Sequence, residues 1–185
     1  SHKATMMKKY RIIVLGFVLA YFSSGFSQDT AEKVKWYTME EAEKLYREEP
    51  RKWLIDVYTD WCSWCKVMDQ KTFSHPVIAR YINENFYAVK LNAESKESIT
   101  FNGTTFGYQE QGGTAYQELA IGLLQGQMSF PSIAYLNEEL QLLGAIPGYK
   151  TPVQMEPLLN YILEDKYTSQ TLADFQKTFQ GKITE

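Results

Sequence analysis

Asp56-Val57-Tyr58-Thr59-Asp60-Trp61-Cys62-Ser63-Trp64-Cys65-Lys66 is the stretch from which the fold is read. An apolar strand runs into a two-cysteine turn, and a helix follows. Cys62 and Cys65 are the chain's only cysteines. Three residues apart at the start of a helix, they lie about one turn apart and can close a small disulfide. The unpaired N–H groups and the dipole of the helix N-terminus stabilise a thiolate on the first of them. A thiolate is the form that attacks disulfides. Half a zinc site is a competing reading, but a structural zinc needs four ligands and no second cysteine pair exists. The only histidines are His2 and His75. A purely structural disulfide is another, although so short a loop removes little chain entropy. The strand–turn–helix context favours dithiol–disulfide chemistry.

Ser1 to Thr5, ahead of Met6 and Met7, read as a cloning remnant. Lys8, Lys9 and Arg11 then precede an apolar run from Ile12 to Phe22 and the small residues Ser23-Ser24-Gly25-Phe26-Ser27. This is the pattern of a secretory signal peptide cut after Ser27. The run is short for an uncleaved membrane anchor, which needs about 20 apolar residues, and no cysteine lies near the cut to carry a lipid. Residues 1–27 are therefore set apart from residues 28–185, which suit one domain. Those first residues hold four basic groups and no acids, so their loss takes the formal charge from −3 to about −7. Such acidity argues against nucleic acid as a partner. An exported chain with one cysteine pair and none left for structural bridges fits a dithiol that must cycle, in the periplasm or outside the cell.

Periodicity places the remaining elements. Val34 to Trp36 is a short strand. Thr38-x-x-Glu41 is a capping box for a helix with Ala42, Leu45 and Tyr46 on one face, closed by Pro50. From Trp53 to Tyr58 both faces are largely apolar, as in a central strand, which buries Asp56. The helix from Cys62 is expected to reach Phe73, and Ser74 to cap the next, with Pro76 in its first turn. Phe86 to Leu91 is a strand whose helical crossover implies parallel pairing. An insert, 95–113, holds the turn signal Asn102-Gly103. Leaving from the strand ends that carry the cysteines, it should stand on their rim, with Phe101, Phe106 and Tyr108 as an apolar wall; a self-packed hairpin far from the site is the equal alternative. Thr114-x-x-Gln117 reads as a capping box for a helix bearing Tyr116, Leu119, Ala120, Leu123 and Leu124. Ser132–Leu136 and Gln141–Ile146 form a hairpin, Pro152 opens a helix to about Tyr167, and 171–179 adds another.

This order, with Trp61-Cys62-x-x-Cys65 and a later Phe130-Pro131 before a strand, resembles the thioredoxin superfamily over 34–166 apart from the insert. It is more closely similar to the C-terminal thioredoxin-like domain of the bacterial thiol:disulfide interchange reductase and to small exported thioredoxin-like proteins. The shared pattern is Asp56-x-Tyr58-x-Asp60-Trp61-Cys62-x-x-Cys65-Lys66, then Thr72-Phe73-Ser74-x-Pro76. The resemblance implies an α/β thioredoxin-like fold, a central mixed sheet flanked by helices, here with a β-hairpin insert. It also implies a buried Asp56 approached by Lys90, a cis Pro131 facing the disulfide, Gly148 near the substrate groove, and an acid at Asp69. Ser63-Trp64 between the cysteines is neither the Gly-Pro of thioredoxin nor a His-containing oxidase pair.

The expected activity is thiol–disulfide exchange on disulfide-containing proteins. Cys62 is the attacking thiol, Cys65 the resolving one, and Asp56 the base, unless it is only a core carboxylate satisfied by Lys90. Trp61, Ser63, Trp64, Phe130, Pro131 and Gly148 would form the substrate surface, and Lys90 and Asp69 would tune proton affinities. No metal and no cofactor beyond the cysteine pair are expected; a membrane electron donor is one candidate source of electrons. Carboxylates at positions 56, 60 and 69 disfavour a thiolate and point to a reductant, with Lys66 opposing. A non-catalytic peptide-binding module or chaperone is the alternative.

Overall fold

The computed structural model describes residues 32–111 and 113–184. The signal-peptide reading of residues 1–27 lies outside them. Strand β2 (Lys52–Tyr58) lies at the centre of a five-stranded mixed sheet, parallel to β3 (Phe86–Asn92) and antiparallel to β8 (Ser132–Leu136). Strands β1 (Trp36–Tyr37) and β9 (Leu142–Pro147) form the edges, so the order is β1-β3-β2-β8-β9. The thioredoxin-like α/β expectation is borne out.

Strand alternation builds two cores. Trp53, Ile55 and Val57 face one cluster with Val89, Leu91 and Leu119; Leu54 faces another with Met68, Phe73, Ile82 and Leu159. Each fully buried aliphatic side chain contributes about 1.5–3 kcal/mol, so β2 is fixed from both faces. Helix α1 (Met39–Glu48) starts at the Thr38–Glu41 capping box as its sequence dictates. Helix α2 (Ser63–Met68) continues as a π-helical turn, Asp69–Phe73. The cap of α3 (Pro76–Asn85) is His75, whose Nδ1 accepts the Val77 N–H, rather than Ser74, whose hydroxyl donates to the Gln70 carbonyl. Helix α5 (Pro152–Leu163) ends earlier than its sequence suggested, at Leu163, followed by a 3₁₀ turn, Lys166–Thr168.

The insert is two hairpins rather than one. The first pairs β4 (Ile99–Phe101) with β5 (Thr104–Phe106) around Asn102 and Gly103, both at positive φ. It turns away from the cysteines. Phe101 is buried against Trp53, near the start of β2, with ring centroids 5.4 Å apart, and Glu40 and Glu43 of α1 accept N–H bonds from Thr100 and Asn102. Phe101 therefore takes no part in the expected wall of Phe101, Phe106 and Tyr108 beside the cysteines. The second hairpin pairs β6 (Tyr108–Gln111) with β7 (Thr114–Gln117). Thr114 to Gln117 is thus a strand. Helix α4 (Glu118–Leu123) starts one residue beyond it, capped by the Gln117 side chain, which accepts the Leu119 N–H. Helix α6 (Leu172–Thr178) packs against α5, whose Glu156 accepts the N–H groups of Lys182 and Ile183. No described helix is long and apolar enough to cross a membrane.

Candidate redox site

Chain direction gathers the site on one rim. β2 and β3 end there, β8 begins there, and β9 ends there. The rim therefore collects the Cys62 turn, Asn92 to Glu94, Phe130-Pro131 and Gly148. Cys62 and Cys65 form a disulfide with Cα atoms 5.3 Å apart. The Cys62 Sγ sits at the N-cap of α2 and accepts the Cys65 N–H at 3.1 Å. Both sulfur residues are almost fully covered, whereas the flanking Trp61 and Trp64 are 65% and 58% exposed. Trp61 is therefore a rim residue and not a core aromatic.

The Phe130–Pro131 peptide is cis, and the Pro131 carbonyl accepts the Gly148 N–H at 2.8 Å. Gly148 has φ +86°, a conformation that side chains resist. Trp64, Phe130, Pro131, Gly148 and Tyr149 line an open groove, with the Trp64 and Tyr149 rings 5.4 Å apart and tilted by 31°. On the other side, Trp61 donates its indole N–H to Glu94 at 3.0 Å and meets Phe130 edge-on at 6.0 Å. Asn92 links Asp60 to the Glu94 backbone. Ser63 is exposed in the first turn of α2.

Below the disulfide-bearing helix lies a charge cluster. Asp56 is fully buried, and its Oδ2 receives Lys90 Nζ at 2.6 Å. Its Oδ1 has no hydrogen-bond partner among the described residues. Lys90 also bonds Asp69, the residue that closes α2. The Lys90 ammonium further lies about 5 Å from the Trp36 and Tyr58 ring centres. Burial lifts the Asp56 carboxyl from 3.8 to about 6, against the opposing pull of Lys90. Burial also pushes Lys90 down, but Asp56 and Asp69 outweigh it and hold the ammonium above its ordinary value. Among the described residues no group of three or more His, Cys, Asp and Glu is placed to hold a metal ion.

Every site residue named from sequence thus falls on this rim or directly beneath it. Sequence reasoning missed Tyr149, Tyr116 and Glu94. Tyr149 carried a signal, its place beside Gly148; Tyr116 carried none once its segment was read as helix.

A family model labelled Thioredox_DsbH and described as "Protein of unknown function, DUF255" matches residues 19–147, more than half of the chain. The chain belongs to this DsbH-type family. A DsbH oxidoreductase superposes with a TM-score of 0.50 at 14% identity, covering 72% of this chain and 87% of its own. A thioredoxin from Thermus thermophilus gives 0.52 at 17%, covering 70% and 87%. A thioredoxin-fold protein from Helicobacter pylori gives 0.51 at 17%, covering 69% and 83%. At such identities these likenesses show the fold. An uncharacterized protein of Caenorhabditis elegans is 26% identical over 73 residues, 39% of this DsbH-type chain but only 10% of that protein.

Proposed function

We propose that this DsbH-type protein is an exported thiol–disulfide oxidoreductase that reduces disulfides in other proteins. The observation that carries the reading is the disulfide closed across the first turn of α2, with the Cys62 sulfur at the helix N-cap. In the reduced form the Cys62 thiolate attacks one sulfur of the substrate disulfide. That bond breaks, a Cys62–substrate disulfide forms, and the first substrate sulfur leaves as a thiolate and takes a proton from water. Cys65 passes its proton to Asp56 and attacks Cys62 Sγ. The Cys62–Cys65 bond closes and the second substrate thiolate departs. Two electrons have moved to the substrate, and a separate dithiol donor, soluble or membrane-held, returns them.

Asp56 suits the acceptor role, because burial raises it to about 6, near the working pH, and one of its oxygens is unpartnered among the described residues. Charge supports the reducing direction. Lys90 is held by two carboxylates, and no basic side chain is hydrogen-bonded to either sulfur among the described residues. A thiolate without a cationic partner is less favoured, so the dithiol gives up its electrons more readily. Export is supported by Lys8, Lys9, Arg11 and the apolar run that follows. Reduction of a model disulfide protein in the presence of a dithiol donor tests the proposal. Cys62→Ser should abolish turnover and Cys65→Ser should accumulate mixed disulfides; an active Cys62→Ser protein would contradict the assigned order of attack.

A further inference from the structure

Resting on that oxidoreductase reading, we propose that Tyr116 is a specificity-determining residue. It completes an aromatic wall, Tyr116–Phe130–Trp61, that selects a partner segment carrying a bulky apolar side chain beside its reactive cysteine. Phe130 belongs to two surfaces at once. It lines the groove with Pro131, Gly148, Trp64 and Tyr149, and its ring meets Trp61 at 6.0 Å and Tyr116 at 6.0 Å. The groove is therefore continuous with the second insert hairpin.

The hairpin is anchored so that Tyr116 is held there. Gln117, the next residue, donates its backbone N–H to the Ala93 carbonyl at 2.7 Å, and Ala93 in turn donates to Tyr58 at the end of β2. Gln117 itself is fully buried, and its side-chain amide donates to the carbonyls of Glu97 and Phe106. β7 thus ends as a fixed post on the cysteine rim. Alternation along a strand turns Tyr116 to the face opposite Gln117, where Phe130 receives it. Trp61 is fixed from behind by Glu94. Both its ring and Tyr116 retain solvent exposure, so an incoming aromatic or branched side chain meets preplaced rings. Such ring pairs discriminate by up to about tenfold beyond simple burial.

The test uses extended cysteine peptides loaded as glutathione mixed disulfides, with Phe or Ser placed one or two residues to either side of the cysteine. The wild type should show a kcat/KM for the best Phe peptide about tenfold above its Ser counterpart. Tyr116→Ala should lower the Phe-peptide value towards the Ser-peptide value, and Tyr116→Phe should restore the difference. Circular dichroism of both variants confirms that the hairpin persists. If Tyr116→Ala keeps the full Phe preference, or Tyr116→Phe fails to restore it in a folded protein, the assignment of Tyr116 is overturned while turnover of the Ser peptide leaves the oxidoreductase reading standing. A wild type that reduces neither peptide overturns that reading, and the role of Tyr116 with it.

Discussion

Replacing Asp56 by Asn should change how the stability of the oxidised protein depends on pH. Burial raises this carboxyl from 3.8 to about 6 in the folded chain. Between those values the folded state holds a proton that the unfolded state has lost. The stabilisation is complete below about pH 3.8 and disappears as the pH rises through about 6. At about 1.4 kcal/mol for each tenfold change in proton affinity, the folded protein carries a burden of about 3 kcal/mol at neutral pH. The amide of the Asp56→Asn variant cannot ionise, so the variant does not carry it. That amide brings its own offset, because its NH₂ group sits unpaired beside an ammonium and costs about 1–3 kcal/mol. The offset does not depend on pH. Urea unfolding of both oxidised proteins from about pH 3.5 to about pH 7.5 isolates the ionising part. The stability of Asp56→Asn relative to wild type should rise by about 3 kcal/mol across the range, most steeply between about pH 4 and 6. A flat difference, or one that falls as the pH rises, would refute the claim that burial of the Asp56 charge outweighs its pairing with Lys90.

The Cys62–Cys65 couple should equilibrate nearer about −270 mV than about −120 mV; a glutathione redox titration giving a value near the latter removes the argument from carboxylates. Glu156→Ala should release the C-terminal segment, since Glu156 accepts two backbone N–H bonds there at 2.7 and 2.9 Å. Amide exchange at Lys182 and Ile183 should accelerate at least about tenfold, and unchanged exchange would show that the clamp is not what holds the segment. Lys52, 2% exposed and paired with Glu138 and Asp165, should cost about 2–3 kcal/mol when replaced by Ala, whereas Met, which keeps the buried stem, should recover most of it. Equal losses for Ala and Met in urea unfolding would assign the role to charge rather than packing.

Strand β2 was legible because burial on both faces leaves a nearly continuous apolar run, and Asp56 stood out against it as the one acidic interruption. The Thr38 capping box and the Asn102-Gly103 turn were legible because their chemistry is local. The same pattern misled at Thr114-x-x-Gln117. A true box of this type occurs at Thr151-x-x-Gln154, and the two segments differ in what lies opposite them. Thr114 to Gln117 pairs with Tyr108 to Gln111, a polar stretch with weak strand periodicity, so the partner that decides the matter was invisible. The insert's path was misjudged for a similar reason. Trp53 and α1 offer Phe101 a buried seat at the far end of β2, and only the assembled sheet reveals it. The Lys90–Asp69 ion pair joins β3 to the end of α2, and only the assembled layers bring the two residues together. The rim placement of Cys62 followed from strand direction, whereas Pro131 and Gly148 were placed there by the family resemblance.

The sheet's mixed polarity separates reactivity from choice. The two sulfurs are three residues apart and meet through local chain geometry, so an unfolded copy can still form and exchange that bond. Phe130-Pro131, Gly148 and the Trp61–Glu94 pair come from distant parts of the chain and converge only when β3 lies parallel and β8 antiparallel beside β2. On the oxidoreductase reading, unfolding would turn a discriminating reagent into an indiscriminate one rather than an inert one. Folding then serves mainly as a filter on which disulfides the dithiol is allowed to meet. In a urea titration, preference among peptides should vanish at the unfolding midpoint while thiol reactivity continues beyond it.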